Sequence, residues 1–302
     1  MSTLDGLRSS SALRAHRAWT PWLFLAPALC VLGVFFLGSA VQVVYYSTTR
    51  YSAFSDPEFV GIANYAALVA DPIFWRAIAN SFIYLFVTPV LIVLSLSAAM
   101  VIDSGIRGGK PLRILLFLPV VTPTIVAAIA WRLVLNEDNG LLNQALALSL
   151  GWTGLDAGIR WLTEHPFTLI SAMMVTAWKG FGFYMMIFLA GLMQVPASTK
   201  EAAAIDGAGP MGTFLNVTLP SLRPTIALVL VISSISALKV FDELFVTVRG
   251  VPVDQQTAVP YIYDLAFEQG AFGAACAAGV ILFAIILVFS LINLRLSSGG
   301  KA

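Results

Sequence analysis

Residues 195–220 read VPASTKEAAAIDGAGPMGTFLNVTLP and separate two long apolar runs. Ser198 followed by Glu201 is a capping-box pattern, which predicts a helix that starts near Thr199 and runs through the alanines. The glycines and the proline that follow predict its end, and a second short helix is expected over residues 211–216. This loop is therefore expected to be a helix, a turn and a helix lying on a membrane surface.

The runs on either side of the loop belong to a chain whose composition is typical of a membrane protein. Of its 302 residues, 59% are hydrophobic and 11% are charged, whereas soluble proteins carry about 25% charged residues. Crossing the hydrocarbon takes about 20 apolar residues per helix. We therefore expect an all-α membrane protein with about six transmembrane helices, at residues 22–46, 78–102, 112–135, 167–193, 225–248 and 272–294.

The distribution of lysine and arginine between the runs predicts the orientation of the chain. Cytoplasmic loops carry an excess of basic residues, and this rule favours both termini inside the cell. The predicted organisation is a cytoplasmic tail at 1–21, a transmembrane domain at 22–294 that includes a cytoplasmic loop at 198–220, and a cytoplasmic tail at 295–302. The basic residues then inside are Arg8, Arg14, Arg17, Arg107, Lys110, Arg113, Lys200, Arg223, Arg295 and Lys301.

Several function classes lack the residues that they would need. The net charge of +1 provides no basic field for nucleic acid. Cys30 and Cys276 lie inside apolar runs, which favours packing over a disulfide or a metal site. The sequence contains no phosphate-binding loop, zinc-binding His-Glu-x-x-His motif or nucleophile elbow, so we predict no catalytic residue and no metal ligand.

The loop resembles the EAA loop of importer permeases of the ATP-binding-cassette (ABC) superfamily. That motif is Glu-Ala-Ala, three residues, Gly, nine residues, a β-branched apolar residue, one residue and Leu-Pro. Valine replaces the usual isoleucine as the one mild departure. The residues that fit are Glu201, Ala202, Ala203, Gly207, Val217, Leu219 and Pro220.

Further residues resemble the carbohydrate-uptake branch of these permeases. Asp206, Ala208 and Phe214 extend the loop match. Residues 59–65 and 71–75 resemble the outer segment of permeases related to the maltose and glycerol-3-phosphate systems, and the resemblance covers nearly the whole chain. Residues 247–252 depart from the glycine-rich turn often found there.

The resemblance implies the type I ABC importer permease fold with a cytoplasmic coupling helix, in the bacterial inner membrane. The ten loop residues named above would dock on a separate ATPase and transmit its closure to the spans. Implied partners are a second homologous permease, two ABC ATPase subunits, an extracytoplasmic solute-binding protein and a sugar-class solute. ATP and Mg²⁺ are expected on the ATPase, with no cofactor on this chain.

Charged residues inside spans are costly and tend to face a cavity or a partner. At about 1.5 Å per residue, Lys179 and Lys239 both lie roughly 21 Å from the cytoplasmic ends of their helices. One hypothesis pairs Lys179 with Asp242 beside the solute pathway. Alternatively, such a pair only holds helices together, and the aromatic candidates Trp178 and Tyr184 are interfacial anchors. The pathway candidates are Trp178, Lys179, Tyr184, Lys239, Asp242 and Glu243, while Ser233, Ser234 and Ser236 are assigned to helix packing.

Two other functions compete with the importer. An ATP-independent secondary transporter or channel would favour inverted repeats and a coupling-ion site, and it has no need of the loop. An intramembrane enzyme would need convergent catalytic residues within the membrane. The only cluster of candidates in the sequence is Lys239, Asp242 and Glu243. A requirement for ATP and a separate ATPase chain distinguishes the importer from both.

Overall fold

The computed structural model describes residues 20–53, 55–150, 158–248 and 255–298. Most of the predicted N-terminal tail, half of the predicted C-terminal tail and most of the 247–252 stretch therefore lie outside the described residues. Within the described ranges the protein is mainly helical, with one two-stranded sheet. Helices and strands follow in the order α1 Thr20–Val31, α2 Gly38–Ser47, β1 Thr49–Ser52, β2 Ser55–Phe59, α3 Ala63–Ala70, α4 Pro72–Tyr84, α5 Val87–Asp103, α6 Gly109–Val121, α7 Thr124–Val134, α8 Leu141–Leu150, α9 Phe167–Leu192, α10 Ala197–Ile205, α11 Pro210–Thr213, α12 Leu219–Ser221, α13 Arg223–Leu238, α14 Asp242–Thr247, α15 Ala258–Tyr263 and α16 Phe272–Ser298.

In the part of the chain that the structure describes, two short π-helical stretches join neighbouring helices and a third extends α15. They cover Leu32–Leu37 between α1 and α2, Phe214–Thr218 between α11 and α12, and Asp264–Glu268 after α15. Each continues the helix before it, so that the chain keeps its backbone hydrogen bonding through the join.

Four helical stretches in the described residues are long and apolar enough to cross a membrane, and two bent helix pairs raise the number to six if each pair is one span. The straight candidates are Pro21–Ser47, Pro72–Asp103, Phe167–Leu192 and Phe272–Arg295. The bent pairs are Gly109–Val121 with Thr124–Val134, at 98°, and Pro210–Ser221 with Arg223–Leu238, at 65°.

The segment predicted as one helix at 112–135 is two helices, α6 and α7. Thr122 has φ −68° and ψ 129°, and Pro123 has φ −55° and ψ 132°, so both are extended. Proline has no N–H for a helical bond, and its ring disfavours the helical conformation of the residue before it. The chain therefore turns sharply at this point.

The segment predicted as one helix at 225–248 is also interrupted. Helix α13 ends at Leu238, and α14 begins at Asp242. Lys239 and Asp242, on either side of the interruption, are exposed at the protein surface. A continuous helix would carry three charges through the apolar layer at high cost.

Helices α5 and α9 form the centre of the protein. The Ser95 hydroxyl donates to the carbonyl oxygen of Phe181 at 2.9 Å, and the Tyr84 and Thr176 hydroxyls are 2.7 Å apart. Helix α6 packs closely on α9, because a Cβ at Gly182 would lie 2.3 Å from the Leu116 carbonyl oxygen. These contacts tie the four helices α4, α5, α6 and α9 into one unit.

A second core lies between α4, α15 and α16 and includes Phe74, Tyr261 and Ala277. The Tyr261 hydroxyl donates to Asp71 Oδ2 at 2.7 Å, and the backbone N–H of Ile73 donates to Asp71 Oδ1 at 2.8 Å. Burial raises the pKa of Tyr261 well above its usual range, and the Asp71 carboxylate raises it further. The phenol therefore stays protonated as a donor and attaches α15 to the start of α4.

Strands β1 and β2 pair antiparallel, with Thr49 opposite Phe59 and Arg50 opposite Glu58. This hairpin packs against the start of α16. A Cβ at Gly273 would lie 2.1 Å from the Thr49 carbonyl oxygen, so the contact requires a glycine there.

We predict that Gly273→Ala destabilises the protein, because the added methyl group must push the hairpin away from α16. Overpacking of this kind costs about 1–3 kcal/mol. The midpoint of thermal unfolding in detergent measures the effect. Gly279→Ala on the same helix is the matched control, since a Cβ there meets no atom within 4 Å; equal midpoints for the two variants would contradict the close contact.

Candidate functional site

The first helix of the loop, α10, lies at the protein surface without a buried residue. It begins at Ala197 after Pro196, and its N-terminus has no side-chain hydrogen bond. The predicted Ser198–Glu201 capping box is therefore absent and the helix begins earlier than Thr199, because an extended proline before the helix already sets its start. Glu201 and Ala202 are exposed to solvent.

Gly207 ends α10 in the left-handed conformation, with φ +81°. The N–H of Ala208 donates to the Ala203 carbonyl at 2.9 Å, and the N–H of Gly207 donates to the Ala204 carbonyl at 3.1 Å. This is the Schellman arrangement, which satisfies the last carbonyls of a helix. A Cβ at Gly207 would meet no atom within 4 Å, so glycine is required here by backbone conformation and not by crowding.

The second part of the loop is anchored in the protein. Residues 210–221 form one helical stretch that bends by 65° into α13. Phe214 and Leu219 pack against the main core, and Leu222 at the bend is fully buried. Movement of this stretch would therefore be passed directly to α13.

The ten loop residues predicted for coupling divide into two groups. Exposed members are Glu201, Ala202, Asp206 and Gly207, and half-buried members are Ala203, Ala208, Phe214, Val217, Leu219 and Pro220. The first group can contact a partner, while Phe214 and Leu219 of the second group pack against the core and hold the loop on the protein.

Two exposed apolar side chains beside Gly207 were missed by sequence reasoning. Ile205 is 86% exposed and Met211 is 69% exposed. Large apolar side chains on a polar loop are typical of a contact site for another protein. Their position in the sequence could have identified them, because they lie on either side of the turn at 207–210, where a docking element would project farthest.

A cavity of about 420 Å³ lies between α5, α6, α9, α13 and α14. Val87, Leu91 and Phe183 contribute to its apolar wall. The polar and charged side chains lining it are Thr176, Lys179, Tyr184, Ser233, Ser236 and Glu243. The cavity can therefore offer hydroxyl groups and one charge of each sign to a polar ligand.

Three of the six predicted pathway residues line this cavity: Lys179, Tyr184 and Glu243. The lining also includes Ser233 and Ser236, which the sequence assigned to helix packing. Their spacing of three residues puts them on one face of α13, and this spacing was the signal that could have identified them.

Lys179 donates a hydrogen bond to the Thr124 hydroxyl at the start of α7. The predicted ion pair between Lys179 and Asp242 is not formed among the described residues. The break after α13 explains the difference, because Asp242 is exposed after it while Glu243 lines the cavity.

Trp178 and Lys239 do not line the cavity. The Trp178 ring packs edge-on against Trp131 of α7, with ring centroids 6.0 Å apart, and Lys239 is exposed at the end of α13. Trp178 therefore supports the packing of α9 on α7. Among the described residues, no group of three or more His, Cys, Asp or Glu side chains is placed to hold a metal ion.

Comparison with known proteins gives consistent matches along the chain. The family model described as "Binding-protein-dependent transport system inner membrane component" matches residues 72–299. The arabinooligosaccharides transport system permease protein AraP of Bacillus subtilis (strain 168) is 35% identical over 93% of this chain and 89% of its own length. The diacetylchitobiose uptake system permease protein NgcF of Streptomyces coelicolor is 33% identical over 92% of this chain and 83% of its own.

A solved structure has the same fold. A chain of a bacterial ABC transporter involved in the import of the acidic polysaccharide alginate superposes with a TM-score of 0.79. The match covers 94% of this chain and 96% of that chain at 23% sequence identity. At that identity the likeness concerns the fold alone.

We predict that Gly207→Val weakens the end of α10, because a β-branched residue is strained in the left-handed conformation by about 1–2 kcal/mol. Hydrogen exchange at the Gly207 and Ala208 amide positions should accelerate, as measured by mass spectrometry. Gly207→Asn is the matched control, since asparagine tolerates this conformation. Equal exchange in the valine and asparagine variants would argue against a conformational requirement.

Proposed function

This chain belongs to the family of binding-protein-dependent transport system inner-membrane components, and from this premise we propose how it works. It is a permease of the carbohydrate-uptake ABC importers and has the type I fold. Its relatives are transport permeases. We propose that it carries a sugar or sugar derivative across the inner membrane by alternating access, driven by ATP hydrolysis on separate subunits. The solute would arrive on an extracytoplasmic binding protein.

The observation that carries this proposal is the mechanical continuity between the loop and the cavity wall. Residues 210–221 continue through a single 65° bend into α13, and α13 contributes Ile232, Ser233, Ser236 and Ala237 to the cavity. A partner that pulls on the loop would therefore displace one wall of the cavity. This is the arrangement that alternating access needs, since the same ligand site must open to one side and then to the other.

We propose that the exposed part of the loop docks into a groove on the ATPase. Glu201 and Asp206 would contribute charge there, and Ile205 and Met211 apolar contact area. Helix-in-groove recognition uses an exposed helix with apolar anchors. The half-buried residues Phe214 and Leu219 would transmit the movement instead of contacting the ATPase.

We propose that the cavity is this subunit's part of the solute pathway. Sugars are recognised by hydroxyl groups and by a few charged groups that fix their orientation. Tyr184, Ser233, Ser236, Lys179 and Glu243 provide such groups. Because the two charged side chains are of opposite sign, the cavity does not favour an anionic solute over a neutral one.

The assembly would contain this permease, a second homologous permease, two ABC ATPase subunits and the binding protein. ATP and Mg²⁺ would reside on the ATPase subunits, and this chain would perform no bond chemistry. Both termini and the loop at 198–220 would face the cytoplasm, within the domain limits predicted from sequence. This multi-pass membrane protein would then place β1 and β2 on the outer side.

We predict that Glu201→Lys detaches the ATPase, because a reversed charge on the exposed face of α10 opposes docking. Co-purification of ATPase subunits with the affinity-tagged permease should fall by about tenfold or more, equivalent to about 1.4 kcal/mol. The control is Glu58→Lys, which makes the same exchange on the exposed hairpin at the other side of the membrane. Normal co-purification of the Glu201 variant, together with normal uptake, would contradict the assignment of the loop.

We predict that Lys179→Ala lowers uptake while leaving the complex assembled, because it removes a cavity donor and not a docking residue. Proteoliposomes would be tested with radiolabelled arabinooligosaccharide, diacetylchitobiose, maltose and glycerol 3-phosphate. Transport of the accepted solute should fall by about tenfold or more, the effect of losing one charged hydrogen bond. Unchanged uptake would remove Lys179 from the pathway. Uptake by the parent complex without ATP would favour a secondary transporter or channel.

A further inference from the structure

An ion pair connects the loop helix α10 to the cytoplasmic end of a transmembrane span. Lys200 Nζ lies 3.4 Å from Asp103 Oδ2. Lys200 belongs to the first turn of α10, and Asp103 is the last residue of α5. The two side chains are 35% and 28% exposed, so the pair is only partly screened by solvent.

Neither residue stabilises its own helix. The end of a helix carries a partial negative charge, which disfavours a carboxylate such as Asp103, and the start carries a partial positive charge, which disfavours an ammonium group such as Lys200. Each side chain is therefore better explained by its partner than by local helix stability.

The pair also supplies a tertiary contact where the loop has few. Helix α10 has no buried residue, in contrast to residues 210–221, which are held by Phe214 and Leu219 in the core. A side-chain link from Lys200 to Asp103 therefore restrains a helix that has no buried side chain.

Helix α5 leads from this pair to the cavity. Val87 and Leu91 line the cavity, about 18–24 Å from Asp103 along a helix that rises about 1.5 Å per residue. The Ser95 hydroxyl bonds to the Phe181 carbonyl on α9. A displacement of Asp103 would therefore move the α5 wall of the cavity, which adjoins the wall that α13 supplies.

We propose that the Lys200–Asp103 pair is a strut that makes the loop move α5 together with α13. The loop then acts on two cavity walls: on α13 through the polypeptide chain and on α5 through this ion pair. The proposal rests on the proposed function and adds two positioning residues to it. Neither residue contacts the solute.

The test follows the accessibility of the cavity and requires no knowledge of the solute. The assembled complex, with its ATPase subunits, is reconstituted into proteoliposomes with Cys30→Ala, Cys276→Ala and Ser236→Cys in every sample. The modification rate of the Ser236→Cys variant by a membrane-impermeant maleimide is measured with and without ATP, Mg²⁺ and vanadate. We expect nucleotide to change the parent rate by about fivefold or more, the range of a typical allosteric coupling.

Asp103→Asn and Lys200→Gln should each reduce that change to about twofold or less while the ATPase subunits still co-purify. The exchanged pair Asp103→Lys with Lys200→Asp should restore it to within about twofold of the parent, since rescue by exchange isolates the pairwise interaction. Glu58→Gln breaks the exposed Arg50–Glu58 pair, at 3.7 Å, and should leave the response unchanged.

The results that contradict the strut differ from those that contradict the proposed function. A full response in Asp103→Asn, or an exchanged pair as defective as the single variants, overturns the strut while the proposed function stands. A parent complex that does not respond to nucleotide at all overturns the proposed function, and the strut with it.

Discussion

The apolar solvent around this protein requires nearly every backbone N–H and C=O group to be satisfied within the chain, and this requirement explains both its helices and the positions of its helix breaks. Non-helical backbone at membrane depth is tolerated where it is covered by protein or lines a cavity. The break at Thr122–Pro123 lies beside Thr124, which accepts the hydrogen bond of Lys179. The break after Leu238 precedes Glu243, which lines the same cavity. The irregular backbone is thus concentrated where the polar groups are.

The loop between α9 and α13 contains both an exposed helix and a stretch that is anchored in the core, which a single straight helix could not provide. Helix α10 is exposed and ends at Gly207, so it can engage another protein without disturbing the core. Residues 210–221 are attached to the core at Leu222 and continue into α13. In the proposed docking, the surface that contacts the ATPase and the stretch that transmits the movement are therefore adjacent but separate, and Gly207 in the left-handed conformation lies between them.

The cavity is lined by one positively and one negatively charged side chain. Its walls are mainly apolar, with Lys179 and Glu243 as the charged groups and serine, threonine and tyrosine hydroxyls as neutral ones. A lone buried charge would be costly, and a cavity with one sign of charge would hold an oppositely charged solute tightly. Lys179 on α9 and Glu243 on α14 are of opposite sign, which avoids both problems and suits the polyhydroxy solute proposed above.

Local sequence was sufficient for the membrane class, the approximate spans and the helix–turn–helix character of the loop, because hydropathy, proline and glycine act over a few residues. The family also followed from residues 201–220, since a spacing pattern is a property of the chain alone. The orientation of individual side chains required the folded protein. Asp242 and Glu243 are adjacent in sequence, yet Asp242 is exposed and Glu243 lines the cavity, because the direction of a side chain after a helix break depends on how the next helix packs. Likewise, the Lys200–Asp103 contact joins residues 97 positions apart, and such a distance in sequence is closed only when α5 and the loop are brought together by the packing of α5 on α9.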